Sequence, residues 1–528
     1  MCRVSVDAIS LEVFRNLLTS AAEEMGVALG RTAYSTNIKE RRDYSCAVFG
    51  PGGDMVAQAA HIPVHLGAMT ASVRAGLDRL SLGPGDIAVL NDPYLGGTHL
   101  PDVSLMAPVY VDSDDGPLLV GYVANRGHHA DIGGMAPGSL PLSTSLYQEG
   151  MIIPPLKLVE GGVLNEGLLE LICGNTRTPD ERRGDFAAQI AAVRTGERRL
   201  WGLVARYGLV DLHQHMDVLL DYAESLTRAS LRSLPPGTYA FEDVMEGDGL
   251  TGDPLVIRCA VTLKDGGITF DLTGTASQVP GCVNTPLAVT ESAALYVTRA
   301  LVGGDIPAND GVRRAVTLVA PVGCLVNAES PHAVSGGNVE TSQRITDVML
   351  GALARAVPGL IPAASQGTMN NLLIGGRDER SGTPFVYYET IAGGLGAGPR
   401  GAGASAVQSH MTNTLNTPVE ALEYAFPLRV RRYAVRSGSG GQGAHVGGDG
   451  VVREIEFLSP AHVTIISERR STRPYGLNGG GDGQPGRNLL DRDGVTTRIG
   501  AKAELDVMPG DRFRVETPGG GAWGIGSE

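Results

Sequence analysis

Apolar residues recur at Ile9, Val13, Leu17 and Ala21 behind Asp7, a spacing that predicts a capped helix over about residues 8–29. The period then changes. SCAVFGPGGDMVAQ places two short apolar runs around Gly50-Pro51-Gly52-Gly53 and predicts two strands joined by a turn. DIAVLND (86–92) reads as a buried strand, and LMAPVYV and LLVGYVAN as a strand pair after it. Helical periodicity returns with charged faces over about residues 181–207 and 213–232, which predicts an antiparallel helix pair.

From about Pro235 the texture shifts to strands broken by Gly and Asp turns, as in LVIRCAVTL and ITFDLTG, with helices predicted over 290–301 and 339–356. Beyond about Val430 the chain is β-rich and dense in glycine (GSGGQGAHVGGDG, NGGGDGQPG, ETPGGGAWG). Those glycines are assigned to tight turns between short strands. The pattern predicts a mixed α+β fold of three lobes: 1–234 (α/β, with a helical pair), 235–429 (α+β) and 430–528 (β-rich).

Composition narrows the function classes. With 42% hydrophobic and 19% charged residues the chain is of ordinary globular make-up, and its 528 residues can bury a large core. A net charge of −14 disfavours nucleic acid or an anionic membrane as the main partner. Cysteines at 2, 46, 173, 259, 282 and 324 show no CxxC spacing, so neither a disulfide framework nor a zinc ribbon is expected. No secretory leader or membrane-length apolar run is evident, and a cytoplasmic location is expected. GxxxxGK[ST] is absent, so a P-loop is not expected here.

Two polar loops leave predicted strand ends. NDPYLGGTHLPDVSL (91–105) carries Asp92, His99 and Asp102 around a Gly-Gly pair, and Pro101 favours an extended loop over a helix. NRGHHADIGG (125–134) carries His128, His129 and Asp131. His99, Asp102 and one of the paired histidines form a nitrogen and carboxylate set suited to a divalent metal with coordination positions left open. Such a site acidifies water and polarises a carbonyl. HxxD lacks the specificity of HExxH, and the same residues also hydrogen-bond turns, so spacing leaves both readings open.

Asp43, in ERRDYSCAVF, is a candidate fourth ligand or a partner of Arg41 or Arg42. His61 and His65, in AHIPVHLGAM, read as groups behind the ligands or as hydrogen-bonded core histidines. Asp131 is a candidate to orient whichever histidine binds the metal. Cys46 reads as buried and inert. His332, His410, Asn370 and Asn371 lie in polar loops and are candidates to line a pocket.

With VDAISLEVFRN, YQEGMIIPPLKL, NTRTPDERRGD, GTMNN, YYETIAGGLGAG, HMTNTLNTPVEALE, GGDGVVREIEF and ETPGGGAWG, these motifs run in order from residue 6 to about 524. In that order they resemble the B-type chain of the hydantoinase B/oxoprolinase family, N-methylhydantoinase B among its members. The resemblance implies a cytoplasmic chain in a hetero-oligomer with a separately encoded A-type subunit of actin-like ATPase fold. In the family the A-type partner uses ATP to phosphorylate a carbonyl oxygen, so ATP is expected on the partner. The B-type chain carries one divalent ion, zinc, manganese or iron, where the activated compound is processed.

Carried over by motif, the metal ligands are Asp43, His99, Asp102 and a histidine of GHHADIGG, His128 in preference to His129. The catalytic or supporting set is His129, Asp131 and His65. Hydantoinase- and oxoprolinase-like members open a cyclic amide, whereas acetone and acetophenone carboxylase members add a carboxyl group to a ketone. The expected function is ATP-dependent hydrolysis of a cyclic amide C–N bond. Ketone carboxylation is the alternative and a noncatalytic assembly role the second alternative. No single residue decides among them.

Overall fold

Asp7 caps the first helix: its Oδ1 accepts the Ser10 N–H at 2.7 Å, and the helix runs Ala8–Thr32. The computed structural model describes residues 6–59 and 61–526, so Cys2 lies outside the described residues. Strands β1 (Tyr44–Phe49), β2 (Met55–Gln58), β3 (Ile87–Leu90), β4 (Asp102–Val111), β5 (Leu118–His128), β6 (Leu156–Glu160) and β7 (Val163–Leu164) form one sheet in the order β2-β1-β5-β4-β3-β6-β7. Every neighbouring pair in it is antiparallel.

Both faces of this sheet are covered. Val48, Val103, Leu105 and Val123 pack beneath helices Ala8–Thr32 and Pro179–Tyr207, while Phe49, Ala88, Met106 and Ala124 face helix His65–Arg79. Each fully buried Val, Leu or Phe here contributes about 1.5–3 kcal/mol of transfer free energy. Burial on both sides explains why these strands read as unbroken apolar runs although the sheet is antiparallel. Helices Pro179–Tyr207 and Leu209–Arg232 meet at Gly208, whose φ of 84° turns the chain, and both pack into the core of helix Ala8–Thr32.

A second sheet runs in the order Val316–Val319, Gly267–Asp271, Leu255–Lys264, Gly237–Met245, and its two central strands alternate buried with more open positions. Helix Ser342–Ala356 covers its inner face and is entered through a π-helical turn, Gly337–Thr341. The sequence placed these five residues partly in the helix. A third sheet (Pro384–Thr390, Asn371–Arg377, Ala461–Ile466, Lys502–Val507) and a fourth (Leu428–Arg436, Gly450–Phe457, Arg512–Glu516, Arg487–Arg492, Val495–Ile499) share an apolar core that includes Leu372, Tyr387, Ile465, Ile455 and Phe513. Strands from both sides of residue 430 thus share the third sheet. No helix among the described residues is long and apolar enough to cross a membrane.

The glycine-dense segments correct a sequence expectation. Many of these glycines sit in extended chain packed backbone against backbone, rather than in tight turns. A Cβ on Gly394 would lie 1.9 Å from the Gly448 carbonyl oxygen, and one on Gly520 would lie 2.0 Å from that of Leu395. Hydrogen bonds from Gly448 N to Leu395 O and from Gly520 N to Gly448 O, both 2.9 Å, tie the segments together. Close approach, more than turn geometry, is what demands glycine here.

Candidate functional site

Asp102 opens β4 and His128 ends β5, and the two residues are direct cross-strand partners. The β4–β5 pairing therefore brings the two polar loops to one pair of residues. Asp43 precedes β1, the other neighbour of β5, and its carbonyl accepts the His128 N–H at 3.0 Å. His99 reaches in from the loop before β4, and its Nδ1 lies 3.0 Å from Asp102 Oδ2. Helix His65–Arg79 begins above the same face, with His65 Nε2 3.3 Å from Asp102 Oδ2.

The geometry is one that could hold a metal ion. One donor atom from each of His99, Asp102 and His128 lies within 4.8 Å of the other two, and all three residues are buried. His128 Nδ1 is 3.2 Å from Asp102 Oδ1 without the alignment of a hydrogen bond, and 4.0 Å from Asp43 Oδ2. Ligands about one tetrahedral ion with bonds of about 2.0–2.2 Å are roughly 3.3–3.5 Å apart. His99 Nε2, His128 Nε2 and Asp102 Oδ1 are buried without hydrogen-bond partners, a cost that a bound cation can remove. The cavity lined by Asp43, His65, Asp102, His128 and Tyr388 is about 20 Å³, room for one ion or one water.

Electrostatics agree with this. Burial raises the Asp102 carboxyl, but the His99 and His65 imidazoles and the contact from His128 outweigh it and hold the carboxyl well below the usual range. Burial lowers the His128 imidazole against the pull of Asp102, which favours the neutral form that binds metals. Thr98 donates its hydroxyl to Asp102 Oδ2 in a short contact.

Residues the sequence reading did not single out complete the surroundings. Asn338, in the π-helical turn, places Nδ2 3.0 Å from His99 Nδ1. Tyr388 stacks on His128 at 4.8 Å between ring centroids, and the Arg41 guanidinium lies 4.6 Å from the Tyr388 ring centroid. Asn371, a predicted pocket candidate, accepts the Tyr388 hydroxyl at 2.9 Å. Arg126 donates to Ser104 Oγ at 2.9 Å and Ser72 Oγ at 2.6 Å beneath the site.

The structure brings Asp43, His65, His99, Asp102 and His128 together; it does not bring His129 and Asp131 with them. Successive strand residues point to opposite faces, so His129 turns away, pairs with Gln189 Oε1 at 2.9 Å and packs on Phe186. Burial, with the Arg182 guanidinium, pushes its imidazole down to about 4. Asp131 orients no histidine here. It accepts the Gly133 and Gly138 amides, both at 3.3 Å, and pairs with Arg177 at 2.8 Å, closing its own loop. Asp43 lies 3.9 Å from Arg41. Cys46 is buried with its thiol pushed up by desolvation, His332 bonds the Glu329 carbonyl, and His410 faces Asp347 at 3.4 Å.

Known proteins share this chain's pattern over its length. The model of the hydantoinase B/oxoprolinase family matches residues 7–525. 5-Oxoprolinase 1 of Arabidopsis thaliana is 42% identical over 544 residues, covering 98% of this chain and 42% of that protein. A protein of Pseudomonas sp. (strain NS671) named as the B component of a D-/L-hydantoinase is 30% identical over 542 residues, covering 98% of this chain and 90% of its own length. The crystal structure of ATP-dependent caprolactamase from Pseudomonas jessenii superposes with a TM-score of 0.91 at 28% identity, covering 99% of this chain and 92% of that one. The chain spans about two fifths of the 5-oxoprolinase it matches and most of the hydantoinase component. The chain belongs to the hydantoinase B/oxoprolinase family.

Proposed function

We propose that this chain is the metal-containing subunit of an ATP-dependent enzyme that hydrolyses a cyclic amide, working with a separate A-type ATPase subunit in the cytoplasm. The observation that carries the reading is the buried group of His99, Asp102 and His128, each with an unpartnered donor atom, of which Asp102 and His128 line a cavity the size of one ion. The relatives' names, 5-oxoprolinase, D-/L-hydantoinase and caprolactamase, support a cyclic amide as substrate. The hydantoinase relative's name as one component of several and the ATP dependence named for the caprolactamase support an ATP-using partner.

His99, Asp102 and His128 would hold the ion, with Asp43 as the fourth group at the cavity's edge. A divalent ion there, zinc, manganese or iron, supplies Lewis acidity toward a carbonyl and acidifies water. His65, tied through Nδ1 to Ser45 Oγ at 2.8 Å, presents Nε2 to Asp102 and holds that carboxylate in place. Asn338 fixes the ring of His99, and Tyr388 fixes that of His128. His129 and Asp131 support this from behind, by fixing the end of β5 and the loop after it.

The test is elemental analysis of the chain copurified with its A-type partner, followed by ATP-dependent opening of a hydantoin or of 5-oxoproline with and without bicarbonate. About one divalent ion per chain and bicarbonate-independent ring opening are expected. Activity only on a ketone with bicarbonate, or no metal, overturns the reading.

A further inference from the structure

A cyclic amide does not fit in a cavity of about 20 Å³, so a substrate must be held beside the metal centre. The adjoining cleft has about 350 Å³, within the size range of small-molecule sites. Ile62 lines both spaces. Ser45 also lines the cleft, and its Oγ is the group bonded to His65 Nδ1. One apolar side chain and one hydroxyl therefore separate the cleft from the metal ligands.

The chemistry of this cleft is unusual for a chain of net charge −14. Its lining includes Arg299 and no Asp or Glu. Arg299 is half-buried on helix Leu287–Val302 and spends one N–H on the Pro307 carbonyl at 3.1 Å. Among the described residues no carboxylate lies within ion-pair distance of it. Burial and then the nearby Arg15 push its guanidinium down, the mark of a cation without a counter-charge, yet an arginine stays charged. The other titratable groups facing the cleft are neutral. Burial holds the His61 imidazole down at about 4 and the Tyr296 hydroxyl up at about 12.

We propose that this cleft is an anion-recognition subsite, in which Arg299 takes the oxyanion of a small molecule, a carboxylate or a phosphoryl group, while Ile62 and Leu66 pack on its apolar part. A guanidinium fork presents two parallel N–H donors to either group. Ordering the ligand's charged end at Arg299 leaves its other end toward Ser45 and Ile62, where the metal cavity begins. That last step rests on the metal-centre reading; the binding itself does not.

Calorimetric titration of the purified full chain with three probes tests the proposal: 5-oxoproline, 2-pyrrolidinone (the same ring without the carboxylate) and inorganic phosphate. Arg299→Gln is expected to weaken at least one of the two anions by about tenfold or more, with Arg299→Lys between it and the parent and 2-pyrrolidinone unchanged. Loss confined to 5-oxoproline identifies the carboxylate as the natural group, and loss confined to phosphate the phosphoryl group. Unchanged affinity for both anions in Arg299→Gln, with an unchanged unfolding midpoint, overturns the proposal. Repeating the titration in His99→Ala separates the two readings. Arg299-dependent binding persists there if the cleft is right, whether or not metal and turnover depend on His99.

Discussion

Two of the buried polar clusters in this molecule are balanced in opposite ways. In one, Arg344, Arg469 and Lys502 face Asp243, Asp347 and Glu468; Arg469 alone spans Asp243 at 2.6 Å and Asp347 at 2.9 Å. Fixed charges there are matched three against three. In the other, Asp102 meets, among the described residues, only imidazoles within ion-pair distance, those of His65, His99 and His128. A neutral imidazole does not balance a carboxylate. The first cluster is charge-balanced by its own side chains and ties helix Ser342–Ala356 to the C-terminal sheets, whereas the second gains a counter-charge only by protonation or by a cation.

The sharpest way to break this comparison is to remove a donor from the open cluster. His99→Ala is expected to lower bound divalent metal from about one per chain to near none and to reduce turnover about a thousandfold, the equivalent of several kcal/mol of transition-state stabilisation. Elemental analysis and an ATP-dependent ring-opening assay read both, and retained turnover would sink the metal-centre reading. Arg469→Met acts on the closed cluster instead. It leaves Asp243 and Asp347 buried without that cation, at an expected cost of about 3–5 kcal/mol in denaturant unfolding. Metal per folded chain should stay constant, and preferential loss of metal would erase the distinction between the clusters.

Asn338→Ala sharpens the comparison more gently, because it frees the ring of His99 without removing a ligand. Metal affinity should fall roughly 10–100-fold, measured by chelator competition, with little change in Tm. The smallest effect is one of pH. Glu340 is buried, accepts from Met369 N at 3.0 Å and Asn371 Nδ2 at 2.7 Å, and is pushed up to about 8 by desolvation. An unfolded chain loses that proton near the ordinary glutamate value, so stability falls as pH rises from there to about 8 and levels off beyond. Glu340→Gln keeps the accepting oxygen and should flatten Tm between pH 5 and 8. An unchanged slope would show that Glu340 does not stay protonated in the fold.

How much of this could be read from the sequence follows from the range of each signal. Strands β3, β4 and β5 were evident from local apolar runs, and the two polar loops were correctly expected to leave strand ends. Strand alternation also separates His128 from His129, once β5 is known to end at His128. Asn338 and Tyr388 gave no such signal, since each reaches the site from more than 200 residues along the chain, through long-range packing that local periodicity does not report. The glycines misled for a related reason. A turn and a backbone-to-backbone contact both require a missing Cβ, and composition cannot tell them apart.

The pairing of Asp102 with His128 has one more consequence. A strand slipped by one residue sends its side chains to the other face, so a misregistered β4 and β5 would present one donor to the cavity and turn the other into the opposite core. Metal capture at this pair, on the proposed reading, would therefore act as a checkpoint on assembly. Only chains whose central sheet has closed in the correct register would load the ion, and a loaded ion would penalise any later slip.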